Sequence, residues 1–249
     1  MFLGRSQELS YLEELYASGR PELFVLYGRR RVGKTELLQR FCEGHRSVCY
    51  QAAQVREKDN LRAFRDALAD GLKDELVANI EFPDWDSALL YAASRAETER
   101  LVLVLDEFPY LCEANKGLPS ILQRFWDSKG KRSQLMLVLC GSQVSFMEEE
   151  VLAERSPLFG RRTAQRRLQP LSPTDALSFF DTWDFEDALT ARFGLGPGAS
   201  APGQDGKLAA GAVDAAHGDG AGGKHGAGTG DGGGVRQHQA RHGGQEGQQ

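Results

Sequence analysis

The chain has 249 residues, 41% of them hydrophobic and 26% charged, which is enough to form a globular core. Its 30 lysines and arginines against 35 aspartates and glutamates leave a net charge of −5, which argues against a cationic protein that coats nucleic acid. No apolar run reaches the roughly 18 residues of a membrane helix, and the amino terminus lacks an apolar signal segment, so we expect a cytoplasmic protein without a membrane partner.

Helices and strands are predicted to alternate along the amino-terminal part of the chain. Leu9, Leu12 and Leu15 share one face of a first helix, with Ser6 as its cap and Gly19 at its end. Short apolar stretches predict four strands, over 22–27, 47–52, 101–105 and 134–140. The stretches between them predict helices over 34–42, 57–79, 87–99 and 119–128. This alternation is typical of an α/β fold, a three-layer sandwich with a central parallel sheet of about five strands.

The composition changes abruptly after Phe193. Residues 194–249 contain no aromatic side chain and are about one-third glycine. Such a segment cannot bury enough apolar surface to offset the entropy lost on ordering it. We therefore predict one folded domain over residues 1–193, followed by a disordered, glycine-rich tail over 194–249.

Four cysteines are spread over the predicted domain, namely Cys42, Cys49, Cys112 and Cys140. None of their spacings is that of a metal site, and each stands in an apolar or helical stretch. Free thiols in a reducing compartment are therefore expected.

The strongest motif is a glycine-rich loop between the first predicted strand and the helix after it. Residues 28–35 read GRRRVGKT and fit the phosphate-loop pattern GxxxxGK[ST] in full. Backbone amides of such a loop surround a phosphate chain, and the anion rests on the N-terminus of the following helix. The pattern predicts that Lys34 reaches the β- and γ-phosphates and that Thr35 ligates Mg²⁺. The predicted nucleotide-binding residues of the loop are Gly28, Arg29, Arg30, Arg31, Val32, Gly33, Lys34 and Thr35.

Two acidic residues follow the apolar strand predicted over 101–105. The carboxyl end of a buried parallel strand lies at the ligand-binding edge of its sheet. There Asp106 could hold Mg²⁺, directly or through water, and Glu107 could orient and polarise an attacking water molecule. An ordinary acidic turn is the alternative. The strand predicted over 47–52 lies between the loop strand and this one in the chain, which favours the class of nucleotidases in which an extra strand separates the two motifs.

Other polar positions are more ambiguous. Ser142 follows the strand predicted over 134–140 and would lie near the γ-phosphate as a sensor, although a turn or a helix cap before Val144 would use it equally well. Arg161 could stabilise phosphoryl charge with its guanidinium fork, or belong to a solvated basic patch. The three loop arginines could contact phosphate, an acidic partner or nucleic acid, or pair locally at the surface.

Seven stretches of the sequence carry a resemblance to a known family. In chain order they read FLGRSQELSYLEELY, FVLYGRRRVGKTELLQRF, LVLVLDEFPYL, LPSILQRFWD, LMLVLCGSQVSFME, SPLFGRRT and LQPLSPTDALSFF. With them, residues 2 to about 180 resemble the archaeal-type ATPases, a branch of the AAA+ and STAND nucleotidases with the P-loop NTPase fold. The resemblance implies that the nucleotide is ATP.

The resemblance also implies roles for residues outside the loop. The amino-terminal GR-E motif of the family, which borders the nucleotide, matches Gly4, Arg5 and Glu8. Glu107 matches the glutamate that follows the Walker B aspartate of the family. Ser142 matches the polar sensor residue, and Arg161 matches the arginine after the PLFG turn.

The chain departs from the family beyond the stretch LQPLSPTDALSFF. Members ordinarily continue into a short GG-P-YL segment, a winged-helix domain and often a nuclease-like domain, and the sequence from Gly194 onward matches none of these. A GC-rich reading frame shifted by one base would produce this composition, so we hypothesise a frameshifted or degraded carboxyl terminus. Reading the coding DNA in the other two frames past codon 190 tests the hypothesis.

Three functions are compatible with these motifs. The first is an Mg²⁺-dependent ATP hydrolase or ATP-driven switch in which Lys34 binds phosphate and Glu107 activates water. The second is a nucleotide-gated interaction module with little or no turnover, which self-associates or binds a protein partner. The third is an ATP-dependent DNA-binding protein that has lost its winged helix, and this sequence offers it no recognisable DNA-reading element.

Overall fold

The computed structural model describes residues 4–171. At its centre lies a sheet whose strands are β1 (Glu22–Tyr27), β2 (Ser47–Gln51), β3 (Leu101–Asp106), β4 (Leu135–Gly141) and β5 (Ala164–Arg167). Neighbouring strands are parallel, in the order β2-β3-β4-β1-β5. This five-stranded sheet confirms the predicted fold class. The boundary predicted at 193 and the tail predicted over 194–249 lie outside the described residues.

Helices cover both faces of the sheet. In chain order they are α1 (Ser6–Ala17), α2 (Lys34–Cys42), α3 (Glu57–Leu72), α4 (Trp85–Arg95), α5 (Phe108–Ala114), α6 (Leu118–Ser128) and α7 (Val144–Phe146). Short 3₁₀ turns occupy Val77–Asn79 and Gly130–Arg132, and a π-helical turn occupies Met147–Leu152. The helices α1 and α2 pack on one face of the sheet, and α3 to α6 pack on the other. Within residues 4–171, no helix combines the length and the hydropathy that a membrane span requires.

The three central strands, β3, β4 and β1, are buried along their whole length. This two-sided burial explains the continuous apolar runs between the ends of these strands, because alternate side chains of a strand point to opposite faces. Along β1, Phe24 and Leu26 pack with α1 and α2, whereas Leu23 and Val25 pack with the helices of the other face. Both faces therefore anchor the strand that leads into the glycine-rich loop.

The strand that separates the loop strand from the acidic strand is β4. It pairs with β1 on one side and with β3 on the other. An extra strand thus lies between the two motifs, as the sequence predicts, but the assignment of this place to the stretch 47–52 is wrong. That stretch forms β2, which pairs with β3 at the outer edge of the described sheet.

The predicted start of α1 and the predicted end of α3 are wrong for local reasons. Ser6 is the first residue of α1 rather than its cap, and Arg5 takes the cap position without a side-chain hydrogen bond to the helix. The helix predicted over 57–79 ends at Leu72. The chain leaves it through Lys73, whose φ of 53° is left-handed and cannot continue an α-helix.

The helix predicted over 87–99 begins and ends earlier, as α4. Asp84 caps it by accepting a hydrogen bond from the Ser87 amide at 2.8 Å, and the last helical residue is Arg95. Two elements were not predicted: α5, which is only seven residues long, and β5, whose sequence AQRR lacks an apolar run. The other predicted elements agree with the structure to within one residue at each end.

Candidate functional site

The carboxyl ends of the strands meet at one edge of the sheet. There residues 28–35 follow β1, Asp106 ends β3 and Ser142 follows β4. Beside them lies a cleft of about 390 Å³, lined by residues of the glycine-rich loop together with Glu107 and Ser142. Ligands of open parallel α/β sheets bind at this edge. The cleft is therefore the candidate site.

Glycine is required where the loop leaves β1. A Cβ atom at Gly28 would stand 2.3 Å from the carbonyl oxygen of Leu168, a distance that real side chains do not reach. Backbone hydrogen bonds enforce this approach. The Gly28 amide donates to the carbonyl of Gly141 at 3.3 Å, and the Leu168 amide donates to that of Tyr27 at 2.7 Å. The start of the loop is thus tied to the strands on both sides of β1.

Lys34 lies inside the loop, with 6% of its surface exposed. Its Nζ donates to the carbonyl oxygens of Gly28 at 3.0 Å and Arg29 at 2.9 Å. The residue before it, Gly33, has a φ of +88°, a left-handed conformation that suits glycine at the start of α2. The loop therefore encloses a cation at a helix N-terminus, where the helix dipole and the ammonium group both favour an anion.

Asp106 joins the loop to β3. Its Oδ2 accepts a hydrogen bond from the Thr35 hydroxyl at 2.8 Å, and its Oδ1 accepts one from the Glu107 amide at 2.8 Å. The carboxylate is 4% exposed. The nearby Cys140 thiol stays neutral, because burial raises its pKa well above the ordinary value. The two residues predicted to hold Mg²⁺ are thus brought into direct contact.

Glu107 has a strained backbone, and a hydrogen bond fixes the position of its side chain. Its φ of 51° is left-handed, which costs a non-glycine residue on the order of 1 kcal/mol. The Ser142 hydroxyl lies 2.8 Å and 2.7 Å from its two carboxylate oxygens and donates to this group. Ser142 does not cap the next helix, since Gln143 takes the cap position. The structure therefore pairs the predicted sensor with the predicted water-activating glutamate, across β3 and β4.

Arg5 supports the glycine-rich loop through a hydrogen bond to its backbone. Its guanidinium is buried and donates to the carbonyl of Val32 at 2.8 Å and to that of Gln169 at 2.6 Å, while Glu8 pairs with it at 3.1 Å. Gly4, with a φ of 74°, leads the chain into this position. The amino-terminal motif therefore contacts the loop backbone and the segment after β5.

Replacing Arg5 by alanine is expected to lower the free energy of unfolding by about 2–3 kcal/mol, because two backbone carbonyls lose a charged donor. Urea unfolding followed by circular dichroism measures the change. Arg40→Ala is the matched control, since the Arg40 side chain is 55% exposed and pairs with Glu43. It should cost less than about 0.5 kcal/mol. Equal costs for the two variants would contradict the supporting role of Arg5.

The loop arginines have different surroundings. Arg29 contributes its carbonyl to Lys34, as described above. Arg30 donates to the hydroxyl of Tyr110 on α5 at 2.7 Å, so this arginine pairs locally. Arg31, with a left-handed φ of 64°, lines the cleft together with Arg30. The positive charge at the mouth of the cleft therefore comes from the loop itself.

Three polar residues near the cleft were not predicted. Glu36 and Gln39 line it from α2. A helical pattern could have found Gln39, because it stands four residues after Thr35 and therefore on the same helix face. Tyr110 could have been found only with the short helix α5 in hand.

Arg161 lies away from the loop of its own chain. It pairs with Asp127 at 3.1 Å, and this hydrogen bond lowers the pKa of the aspartate. Two residues later, the Thr163 amide donates to the carbonyl of Leu23 at 2.9 Å, near the start of β1. The loop leaves from the other end of this strand, about 16 Å further on at about 3.3 Å per residue. The structure therefore does not bring Arg161 to the other predicted site residues.

The sequence pattern of a family described as an ATPase domain predominantly from Archaea matches residues 2–189. The chain belongs to this ATPase family. A protein of Methanocaldococcus jannaschii is 32% identical to it over 189 residues, which are 76% of this chain and 40% of the relative. An ATP-binding protein of the same organism is 49% identical over 43 residues, which are 17% of this chain and 73% of that protein. This ATPase-family chain thus spans less than half the length of the first relative.

Two solved structures of archaeal proteins share the fold. A Walker-type ATPase of Pyrococcus abyssi matches with a TM-score of 0.56 at 20% identity, over 73% of this chain and 57% of that one. The ORC2 protein of Aeropyrum pernix, solved in ADPNP and ADP complexes, matches with a TM-score of 0.52 at 18% identity, over 74% and 52% of the two chains. At these identities the likeness concerns the fold, which is that of P-loop ATPases.

Proposed function

We propose that this ATPase-family chain binds ATP with Mg²⁺ in the cleft beside the glycine-rich loop and hydrolyses the bond between the β- and γ-phosphates. One observation carries the proposal. The Thr35 hydroxyl meets the Asp106 carboxylate at 2.8 Å, so that residues from the two motifs, 71 positions apart in the chain, form one polar centre. The ATP-binding relative in Methanocaldococcus jannaschii supports the choice of nucleotide.

The donor atoms at this centre suit Mg²⁺. A hydroxyl and a carboxylate oxygen are hard oxygen ligands, which Mg²⁺ combines with phosphate oxygens and water in nucleotide sites. Within residues 4–171, no three His, Cys, Asp or Glu side chains form a metal cluster. In the proposal Thr35 and Asp106 hold the ion, which when bound neutralises charge on the phosphates.

Each remaining side chain has a separate task in the proposal. Lys34 attracts the β- and γ-phosphates into the loop. Glu107 orients the attacking water and accepts its proton, as a carboxylate beside the cleft can do. Ser142 positions the Glu107 carboxylate through the hydrogen bond described above. Arg30 and Arg31 add positive charge where the phosphates would enter.

Glu107→Gln is expected to lower the rate of phosphate release by about 100-fold or more, because an amide cannot accept the proton of water. ATP affinity should change little, since the substitution keeps the shape of the side chain. Single-turnover phosphate release and nucleotide titration measure the two quantities. Glu113→Gln is the matched control, because Glu113 is an exposed carboxylate on α5, the helix that begins directly after Glu107. A Glu107→Gln variant that releases phosphate at the wild-type rate would remove Glu107 from the proposal.

A second candidate is a nucleotide-gated module with little turnover. The contact between Ser142 and Glu107 favours it, because the Ser142 hydroxyl donates to the Glu107 carboxylate and so competes with an attacking water for the same acceptor oxygens. Tight ATP binding by the wild-type chain without measurable phosphate release would select this candidate over the hydrolase. In both candidates the same loop binds the nucleotide.

A further inference from the structure

Two thiols that the ATPase chemistry does not use lie side by side. Cys42 is the last residue of α2, and Cys49 is the middle residue of β2. Their sulfur atoms are 3.0 Å apart, and both thiols are free. At this distance the two sulfur atoms are in direct contact, so a bond between them would require only a small movement.

The backbone holds the two cysteines near each other. The Cys42 carbonyl accepts a hydrogen bond from the His45 amide at 3.1 Å and another from the Ser47 hydroxyl at 3.3 Å. These bonds fold the connection between α2 and β2 back on itself. A disulfide bond of about 2.05 Å would require the sulfurs to approach by only about 1 Å. The connection can therefore accept the bond without moving either element far.

The two thiols differ in access and in acidity. Cys49 is exposed, whereas Cys42 is buried. The hydrogen bond between the two thiols lowers the pKa of Cys49, although partial desolvation and the charge of Asp106 oppose this, and the same hydrogen bond raises the pKa of Cys42. Cys49 therefore ionises first and is the sulfur that an oxidant in solution can reach.

We propose that Cys42 and Cys49 form a redox modification site that a peroxide converts into an intramolecular disulfide. The Cys49 thiolate attacks one oxygen of hydrogen peroxide, the O–O bond breaks, and sulfenic acid and hydroxide result. The Cys42 sulfur then attacks the Cys49 sulfur and displaces its hydroxyl group. That group leaves as water with the Cys42 proton. In sum, two thiols are oxidised to a disulfide and one peroxide is reduced to two waters.

The position of the pair links it to the frame of the cleft. The helix that Cys42 ends begins with Lys34 and Thr35. The strand that holds Cys49 pairs with β3, where Cys49 stands opposite Val104. The disulfide would close a ring of residues 42–49 and tie the far end of α2 to the edge of the sheet. We expect the oxidised chain to melt several degrees higher than the reduced chain, since the cross-link restricts the unfolded state.

The test treats the full chain, reduced and freed of reductant, with hydrogen peroxide and then alkylates the remaining thiols. Two of the four thiols should become protected. Trypsin, which cleaves after Arg46, should release two peptides joined through Cys42 and Cys49, and dithiothreitol should separate them. Four alkylated thiols after peroxide treatment, or a link between two chains, would overturn the proposal.

Three variants sharpen the test. Cys49→Ser should form no disulfide. Cys42→Ser should stop at the sulfenic acid of Cys49, which a 1,3-dione reagent traps. Cys112→Ala is the matched control, because burial in the core raises the pKa of the Cys112 thiol and leaves it unreactive, so this variant should form the disulfide like the wild type. Equal trapping in the wild type and in Cys42→Ser would show that Cys42 does not resolve the intermediate, and would also overturn the proposal.

Discussion

Replacement of Lys34 by alanine is expected to abolish detectable binding of Mg-ATP, a loss of about 1,000-fold or more in affinity. The Lys34 ammonium is the cation enclosed by the glycine-rich loop, and its Nζ holds the carbonyls of Gly28 and Arg29. Its removal takes away both the charge that faces the phosphates and a support of the loop. Isothermal titration calorimetry with ATP and Mg²⁺ measures the loss.

A control separates the loss of a specific cation from the loss of charge. Lys131 is 51% exposed and pairs with Asp127 away from the cleft, so Lys131→Ala removes the same charge without touching the loop. It should bind ATP like the wild type. Circular dichroism should show that both variants keep their helices. An unchanged ATP affinity in Lys34→Ala would refute the assignment of the loop.

Turnover by the isolated chain is expected to be slow in dilute solution, well below about 1 s⁻¹. An arginine that reaches the γ-phosphate can accelerate phosphoryl transfer on the order of 1,000-fold or more. Arg161 cannot supply this within one chain, because it pairs with Asp127 near the end of β1 that lies opposite the loop. In dilute solution Arg161→Ala should therefore leave the rate unchanged.

At high protein concentration the same substitution should have an effect. If chains associate so that Arg161 of one copy meets the cleft of another, the rate per molecule rises with concentration, and Arg161→Ala removes the rise. Steady-state phosphate release over a concentration series measures this. Arg155→Ala is the matched control, since Arg155 is 68% exposed and pairs with Glu150. Fast turnover that is independent of concentration and survives Arg161→Ala would show this account to be wrong.

Local patterns account for what could be predicted. The apolar runs of β1, β3 and β4 identify strands because both faces of each strand are buried, so that polar residues stand only at the strand ends. The glycine-rich loop is recognisable in part because its first residue has to be glycine. A Cβ atom at that position would lie 2.3 Å from a carbonyl oxygen. The placement of Asp106 at the ligand edge follows from its position directly after a buried parallel strand.

The order of the strands in the sheet, and the side-chain contacts that follow from it, could not be predicted. Both depend on the packing of elements that are distant in the sequence. No local pattern says that β4 rather than β2 lies between β1 and β3. The partner of Ser142 is Glu107 only because these two strands are neighbours. The polar sequence of β5 gives no strand pattern. This outermost strand nevertheless positions Leu168 beside Gly28.

The α/β class, the phosphate loop and the acidic pair could be predicted, since each rests on a pattern of residues close together in the chain. The surroundings of Arg5 and Arg161 follow only from the way distant elements pack. Arg5 donates from the amino-terminal segment to a carbonyl of the loop. Arg161 lies near the amino end of β1, whereas the loop follows the carboxyl end of that strand. A long, charged side chain can reach many partners, and the order of the strands determines which of them stands within its reach.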